Sequence, residues 1–160
     1  MTDCDDQIRK ARARLFRYLA YRARTSSEAA SYLQKLGFAN GEASAAIKDL
    51  QEMGYLNDKV FTGDFISYRK ARYYGPRRIR HELLNKGLDR STVEELLAAD
   101  EDVQEELQTI RVLLNKRVSA NKDADQRWFV RQADYLRRRG FRDRQIMTAL
   151  KEYGFGEEQL

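Results

Sequence analysis

Apolar residues recur along the chain at intervals of three and four, and no stretch shows the apolar–polar alternation of a half-buried strand. One phrase returns three times: Leu33-x3-Gly37-Phe38, Leu83-x3-Gly87-Leu88 and Leu136-x3-Gly140-Phe141, with Ile47, Leu97 or Leu150 ten residues after each glycine. The three glycines are 50 and 53 residues apart, which is the period of a helical repeat. Each phrase reads as a helix whose last turn buries a leucine, a glycine in the left-handed cap, and an apolar residue folded back onto that turn. A second helix follows each phrase. A further helix precedes each, over about 7–24, 58–72 and 103–117.

The expected fold is therefore all-α, a tandem array of three three-helix modules, elongated and curved, with modules over 7–57, 58–102 and 103–160. Loops are expected at 39–41, 54–57 and 118–125, where Gly, Asn, Asp and Ser favour turns and caps. The alternative is an irregular helical domain in which a common helix ending recurs by chance.

On a helical wheel Lys10, Arg14, Arg17, Tyr21 and Arg24 share one stripe opposite Ile8, Leu15 and Leu19, so the first helix should carry a cationic ridge. The chain has 160 residues, 30 Lys and Arg against 25 Asp and Glu, for a net charge of +5. That excess is modest, and its distribution decides its meaning. Between Asp64 and Glu82 there are six Lys or Arg and no acid. Module three adds Arg127, Arg131, Arg137, Arg138, Arg139, Arg142 and Arg144. Between these basic regions, Asp89 to Glu106 holds eight acids and one base, Arg90. Charge runs on helices are often solvated faces with internal i,i+4 pairs. Most arginines of 1–25 and 65–81 have no acid at that spacing, which favours an anionic partner such as nucleic acid.

Pro76, the only proline, suits the first position of a helix, where its fixed φ fits and its missing N–H is not needed. In the helix it starts, Ile79 and Leu83 point one way and Arg78, His81 and Asn85 the other, flanked by Arg77. Arginine forks match phosphate and tyrosine rings stack on bases, though both also suit a protein hot spot. Tyr73 and Tyr74 are equally readable as core or hinge residues.

The segment around Pro76 resembles the signature of the RecX family. The matching pieces are Phe61-x3-Phe65-Ile66-Ser67, Tyr74-Gly75-Pro76-x-Arg78-Ile79-Arg80 and Glu82-Leu83-x2-Lys86-Gly87. It departs from the family pattern at Tyr73, where a small residue is common, and at His81, where glutamine is common. The resemblance implies three tandem three-helix modules. It also implies a regulator, usually an inhibitor, of the RecA recombinase that binds the filament on single-stranded DNA and suppresses strand exchange and ATP hydrolysis. The residues expected to meet partner or nucleic acid are Arg14, Arg17, Arg24, Arg69, Arg72, Tyr73, Tyr74, Arg77, Arg78, His81, Arg137, Arg138 and Arg139. The alternative function is a stand-alone helix-turn-helix-like DNA-binding protein, with the Pro76 helix as its reader.

Little in the chain promises catalysis. His81 is the sole histidine and Cys4 the sole cysteine, so a metal site would need scattered carboxylates, and no Gly-rich phosphate loop precedes a helix. No enzyme activity, cofactor or metal is expected. A lone cysteine and the lack of a long apolar run lead us to expect a cytoplasmic protein that does not cross a membrane, and the protein is expected to be a monomer. An Arg-rich first helix lying on anionic lipid is the alternative.

Overall fold

A computed structural model of the chain describes residues 3–118 and 126–154. Among the described residues the protein is all-helical, with α1 (Asp3–Leu19), α2 (Ser26–Lys35), α3 (Asn40–Glu52), α4 (Asp58–Ala71), α5 (Pro76–Asn85), α6 (Arg90–Ala99), α7 (Val103–Val118), α8 (Gln126–Arg138) and α9 (Asp143–Glu152). The loop expected at 118–125 lies, beyond Val118, outside the described residues. No helix is long and apolar enough to cross a membrane.

The repeated phrase has the expected physical basis. Leu33, Leu83 and Leu136 are fully buried. Gly37, Gly87 and Gly140 take φ of 87°, 75° and 89°, and the N–H of Phe38, Leu88 and Phe141 reaches back to the carbonyl of the phrase's leucine. The helix before the first phrase ends sooner than expected. It stops at Leu19, not near Arg24, because Thr25 adopts the extended conformation of an N-cap (φ −82°, ψ 159°). The Thr25 hydroxyl accepts from the Glu28 N–H while the Glu28 carboxylate accepts from the Thr25 N–H, a reciprocal capping box. Tyr21 and Arg24 therefore leave the helical stripe on which the wheel placed them.

The contacts gather into two compact units. One comprises the chain through Phe65 together with Leu83–Leu96; the other comprises Ile66–Glu82 and the chain from Leu97 onward. In the first unit Ala11 and Leu15 of α1 meet Ala29, Leu33, Ala43, Ala46, Leu50 and Leu56, with Ile8 and Leu19 packed at the edge. Small alanines in facing positions let these helices approach closely. The second unit is built on bulkier side chains: Leu107, Ile110, Leu113 and Leu114 of α7 against Trp128, Phe129, Leu136, Phe141, Ile146 and Leu150.

Each unit contains the same kind of joint, in which the start of one helix meets the capped end of another. In the first, the buried Thr25 hydroxyl donates to the Lys86 carbonyl at the end of α5 (3.0 Å), and the Ser26 N–H donates to Asp58 (2.8 Å). In the second, Gly75 and Arg77, at the start of α5, donate their N–H groups to the carbonyls of Arg139 (2.8 Å) and Gly140 (3.0 Å), just past α8. Orphan donors at a helix start thus satisfy orphan acceptors at a helix end. A Cβ on Gly75 would overlap the Gly140 backbone, and one on Gly140 would overlap Arg78.

These observations predict a graded cost for glycine substitution. Gly37→Ala should cost about 1–2 kcal/mol, the penalty of a left-handed L-residue, because nothing lies near its added methyl. Gly140→Ala should cost distinctly more, since it forces the joint apart as well. Urea unfolding of the two variants measures the difference, and equal losses would deny the joint any energetic role. Leu83→Ala should cost roughly 2–5 kcal/mol in the same assay, as for a fully buried leucine.

Candidate nucleic-acid interface

The cationic candidates separate by what surrounds them. In the second unit α4 ends in a cap where Tyr73, not glycine, takes the left-handed conformation (φ 60°). It is the only non-glycine with positive φ among the described residues, and such a conformation is uncommon for a bulky residue. Arg139 secures it by donating from Nη1 to the carbonyls of Arg72 and Tyr73, both at 3.0 Å. The Lys116 ammonium sits 4.9 Å from the Tyr73 ring.

Tyr74 is a hub. Guanidinium groups of Arg69, Arg78 and Arg139 lie 4.8, 4.5 and 5.0 Å from its ring centre. Such cation–π contacts strengthen as they are withdrawn from water, and Tyr74 is half-buried. The charges are neutralised nearby, because Glu82 accepts from both Arg69 and Arg78. Arg77 and Arg137 converge on Asp143, at 2.7 and 2.8 Å. The hydrogen bonds from Arg137 and then Arg77 hold the Asp143 carboxyl below the usual carboxylate range.

Local spacing alone hides these partners. Arg69 lies 13 residues from Glu82, and Arg77 lies 66 from Asp143. The acid-rich segment is likewise used within the fold. Lys70 bridges Asp100 (2.8 Å) and Glu105, and Arg142 pairs with Glu101 and with the buried Glu106. Glu106 also accepts from the Arg142 N–H at the start of α9, so it caps a helix as well as pairing a charge.

Around the Gly140 joint, Arg77, Arg78, His81, Arg137 and Arg138 line one recess with Glu82 and Gly140. The structure thus brings together five of the candidates named from sequence. Arg138 is exposed and meets no carboxylate among the described residues. Arg72 is also exposed and unpaired by acid, its guanidinium 4.6 Å from the Tyr68 ring. In the first unit Arg14 and Arg17 are exposed on α1 without an ion pair among the described residues. Arg24 instead folds over Tyr18, 4.3 Å from its centre, and its Nε is buried without a hydrogen-bond partner.

The sequence reading missed Glu82 and Asp143 as organisers of the basic recess, and it named neither Tyr21 nor Tyr68 among the residues meeting a partner. Tyr21 is 89% exposed and Tyr68 50%. No group of three or more metal-ligating side chains occurs among the described residues.

The chain is similar to known proteins of one family. Residues 11–50 match the family model for RecX, first three-helix domain, and residues 57–97 that for RecX, second three-helix domain. The chain is 34% identical over 145 residues to the regulatory protein RecX of Halorhodospira halophila, covering 90% of this chain and 86% of that protein. It is also 34% identical over 152 residues to regulatory protein RecX of Bacillus velezensis, covering 92% of this chain but spanning 56% of that relative's length. A crystal structure of RecX from Lactobacillus salivarius shares the fold, with a TM-score of 0.84 at 23% identity over 92% of this chain and 97% of that one. Matched at both helical domains and over nearly all of a relative's length, the chain belongs to the RecX family of regulatory proteins.

Proposed function

We propose that this protein is a non-catalytic, cytoplasmic regulator of a RecA-type recombinase that acts as a monomer. It binds the recombinase filament on single-stranded DNA and inhibits strand exchange and ATP hydrolysis. The observation that supports this best is the presence, in a family of regulators, of exposed arginines that the fold leaves without a carboxylate, among them Arg14 and Arg17 on α1, and Arg72 and Arg138 in the second unit. A carboxylate-paired arginine must lose its partner to take a phosphate, whereas an exposed unpaired one gives up only water. Several weak contacts spread over modules 7–57, 58–102 and 103–160 would act together on a repeating filament.

The helix-turn-helix reading is less well supported by the geometry. It requires the first turn of α5 to enter a major groove. That turn donates its backbone N–H groups to the end of α8, and Arg77 and Arg78 are held by Asp143, Glu82 and the Arg138 carbonyl.

Titrating the full-length protein into a RecA-type recombinase on single-stranded DNA should lower ATP hydrolysis below one regulator per recombinase subunit. Unchanged hydrolysis and strand exchange at molar excess would refute the proposal. Two sets of arginines should then behave differently. Arg14→Ala with Arg17→Ala should leave thermal unfolding within about 0.5 kcal/mol of the parent. Inhibition should weaken, and the log–log salt slope of DNA binding should flatten by nearly one unit for each phosphate that is no longer neutralised. Arg78→Ala should lower stability measurably, because it removes the Glu82 pair, the Tyr74 contact and the bond to the Arg138 carbonyl together.

A further inference from the structure

Each unit carries an exposed tyrosine near arginines left without a carboxylate, apart from Tyr55, which packs edge-on against Phe16, and Tyr73, which lies under Lys116. In the first unit Tyr21 follows directly on the end of α1, whose exposed face carries Arg14 and Arg17. At 89% exposure its ring packs against almost nothing. The neighbouring tyrosines are spent: Tyr18 lies stacked on Tyr32 at 4.1 Å and 3°, with Arg24 on its other face. In the second unit Tyr68 stands on α4 one turn before Arg72, half exposed, with that guanidinium over one face. Tyr74, by contrast, is surrounded by three guanidinium groups.

A solvated tyrosine ring by itself is ordinary surface. What asks for a ligand with two chemistries at once, a phosphate for the guanidinium and a flat apolar face for the ring, is its recurrence within four residues of an acid-free arginine in each unit, Arg17 before Tyr21 and Arg72 after Tyr68. An unstacked nucleobase on its own backbone supplies both. A duplex supplies only the first, because its bases already cover one another's faces.

We infer that Tyr21 and Tyr68 are base-stacking platforms that give this protein its preference for single-stranded nucleic acid, the arginines beside them holding the backbone. The inference rests on the DNA-contact part of the proposed function and assigns the step that distinguishes strand from duplex. Tyr68 keeps one ring face for a base while Arg72, on the other, stays within reach of the adjoining phosphate. Tyr21, with neither face covered by an aromatic neighbour, is the stronger platform.

The test separates base from backbone by using probes of equal charge. Fluorescence anisotropy would follow binding of the full-length protein to a labelled oligothymidylate, to an abasic oligomer of the same length, and to a hairpin duplex. The parent protein should bind the oligothymidylate at least about thirtyfold more tightly than the abasic probe, the effect of two stacked bases at about 1 kcal/mol or more each. Tyr21→Ala and Tyr68→Ala should each reduce that ratio, the double variant bringing it close to one, while affinity for the abasic probe stays constant. Tyr21→Trp should preserve the ratio. Arg14→Ala with Arg17→Ala should weaken binding to all three probes alike. Equal binding of both single-stranded probes by the parent, or alanine variants that lose affinity equally for both, would overturn the stacking assignment and leave the electrostatic one standing. Failure of the parent to bind any probe would overturn both.

Discussion

The second unit depends on how closely two peptide backbones can approach where α5 begins and α8 ends. The N–H groups of Gly75 and Arg77 reach the carbonyls of Arg139 and Gly140 only because neither glycine has a Cβ to hold the chains apart. Helix dipoles reinforce the contact, since a positive helix start meets a negative helix end. The same logic appears in softer form in the first unit. There a threonine hydroxyl, not a peptide N–H, bridges the start of α2 to the Lys86 carbonyl. The added Cβ at Gly87 would meet Oγ and Cβ of Ser27 and not a peptide group.

Fixing α5 against α8 also determines where charge can lie. Once Gly140 is in place, Arg137 and Asp143 flank it across a single tight turn, and Arg77 and Arg78 arrive from the start of α5. Glu82, one turn along from Arg78, then faces Arg69 from α4 as well. The result is a cluster in which each carboxylate serves two guanidinium groups, and cationic excess remains after pairing. Exposed ion pairs contribute little individually. Their worth here lies in fixing where the arginines stand, with the Tyr74 ring as the common surface on which three of them rest.

Much of the architecture was legible because its signals are local. A buried leucine, a left-handed glycine and a folded-back apolar residue lie within six positions, and that phrase returned in register three times. Proline marked the start of α5 for an equally local reason. The end of α1 was misplaced because the wheel kept counting through Tyr21 and Arg24, while the capping box of Thr25 and Glu28 had already committed the chain to leave the helix. The charge pattern was half legible. The sequence located the arginines but could not show that Asp100, Glu101, Glu105 and Glu106 pair with Lys70 and Arg142, because those partners lie some 30 to 40 residues apart. An absence of acid at i±4 says nothing about acid supplied by another helix.

In the proposed function, this sorting of arginines by use would let a small regulator bind a polyanion without becoming a general nucleic-acid adhesive. A net charge of +5 spread evenly would attract any backbone, strand or duplex, in proportion to charge alone. Here Arg69, Arg77, Arg78, Arg137 and Arg142 are tied to carboxylates, which lowers the long-range pull while leaving the groups in defined positions. Unpaired residues such as Arg14, Arg17, Arg72 and Arg138 then carry a larger share of the field at the surface. Weak attraction at a few places, completed by contacts that only the correct partner can satisfy, favours selectivity over affinity. In the inferred role Tyr21 and Tyr68 would make such a completing contact, apart from the rings that hold the fold together.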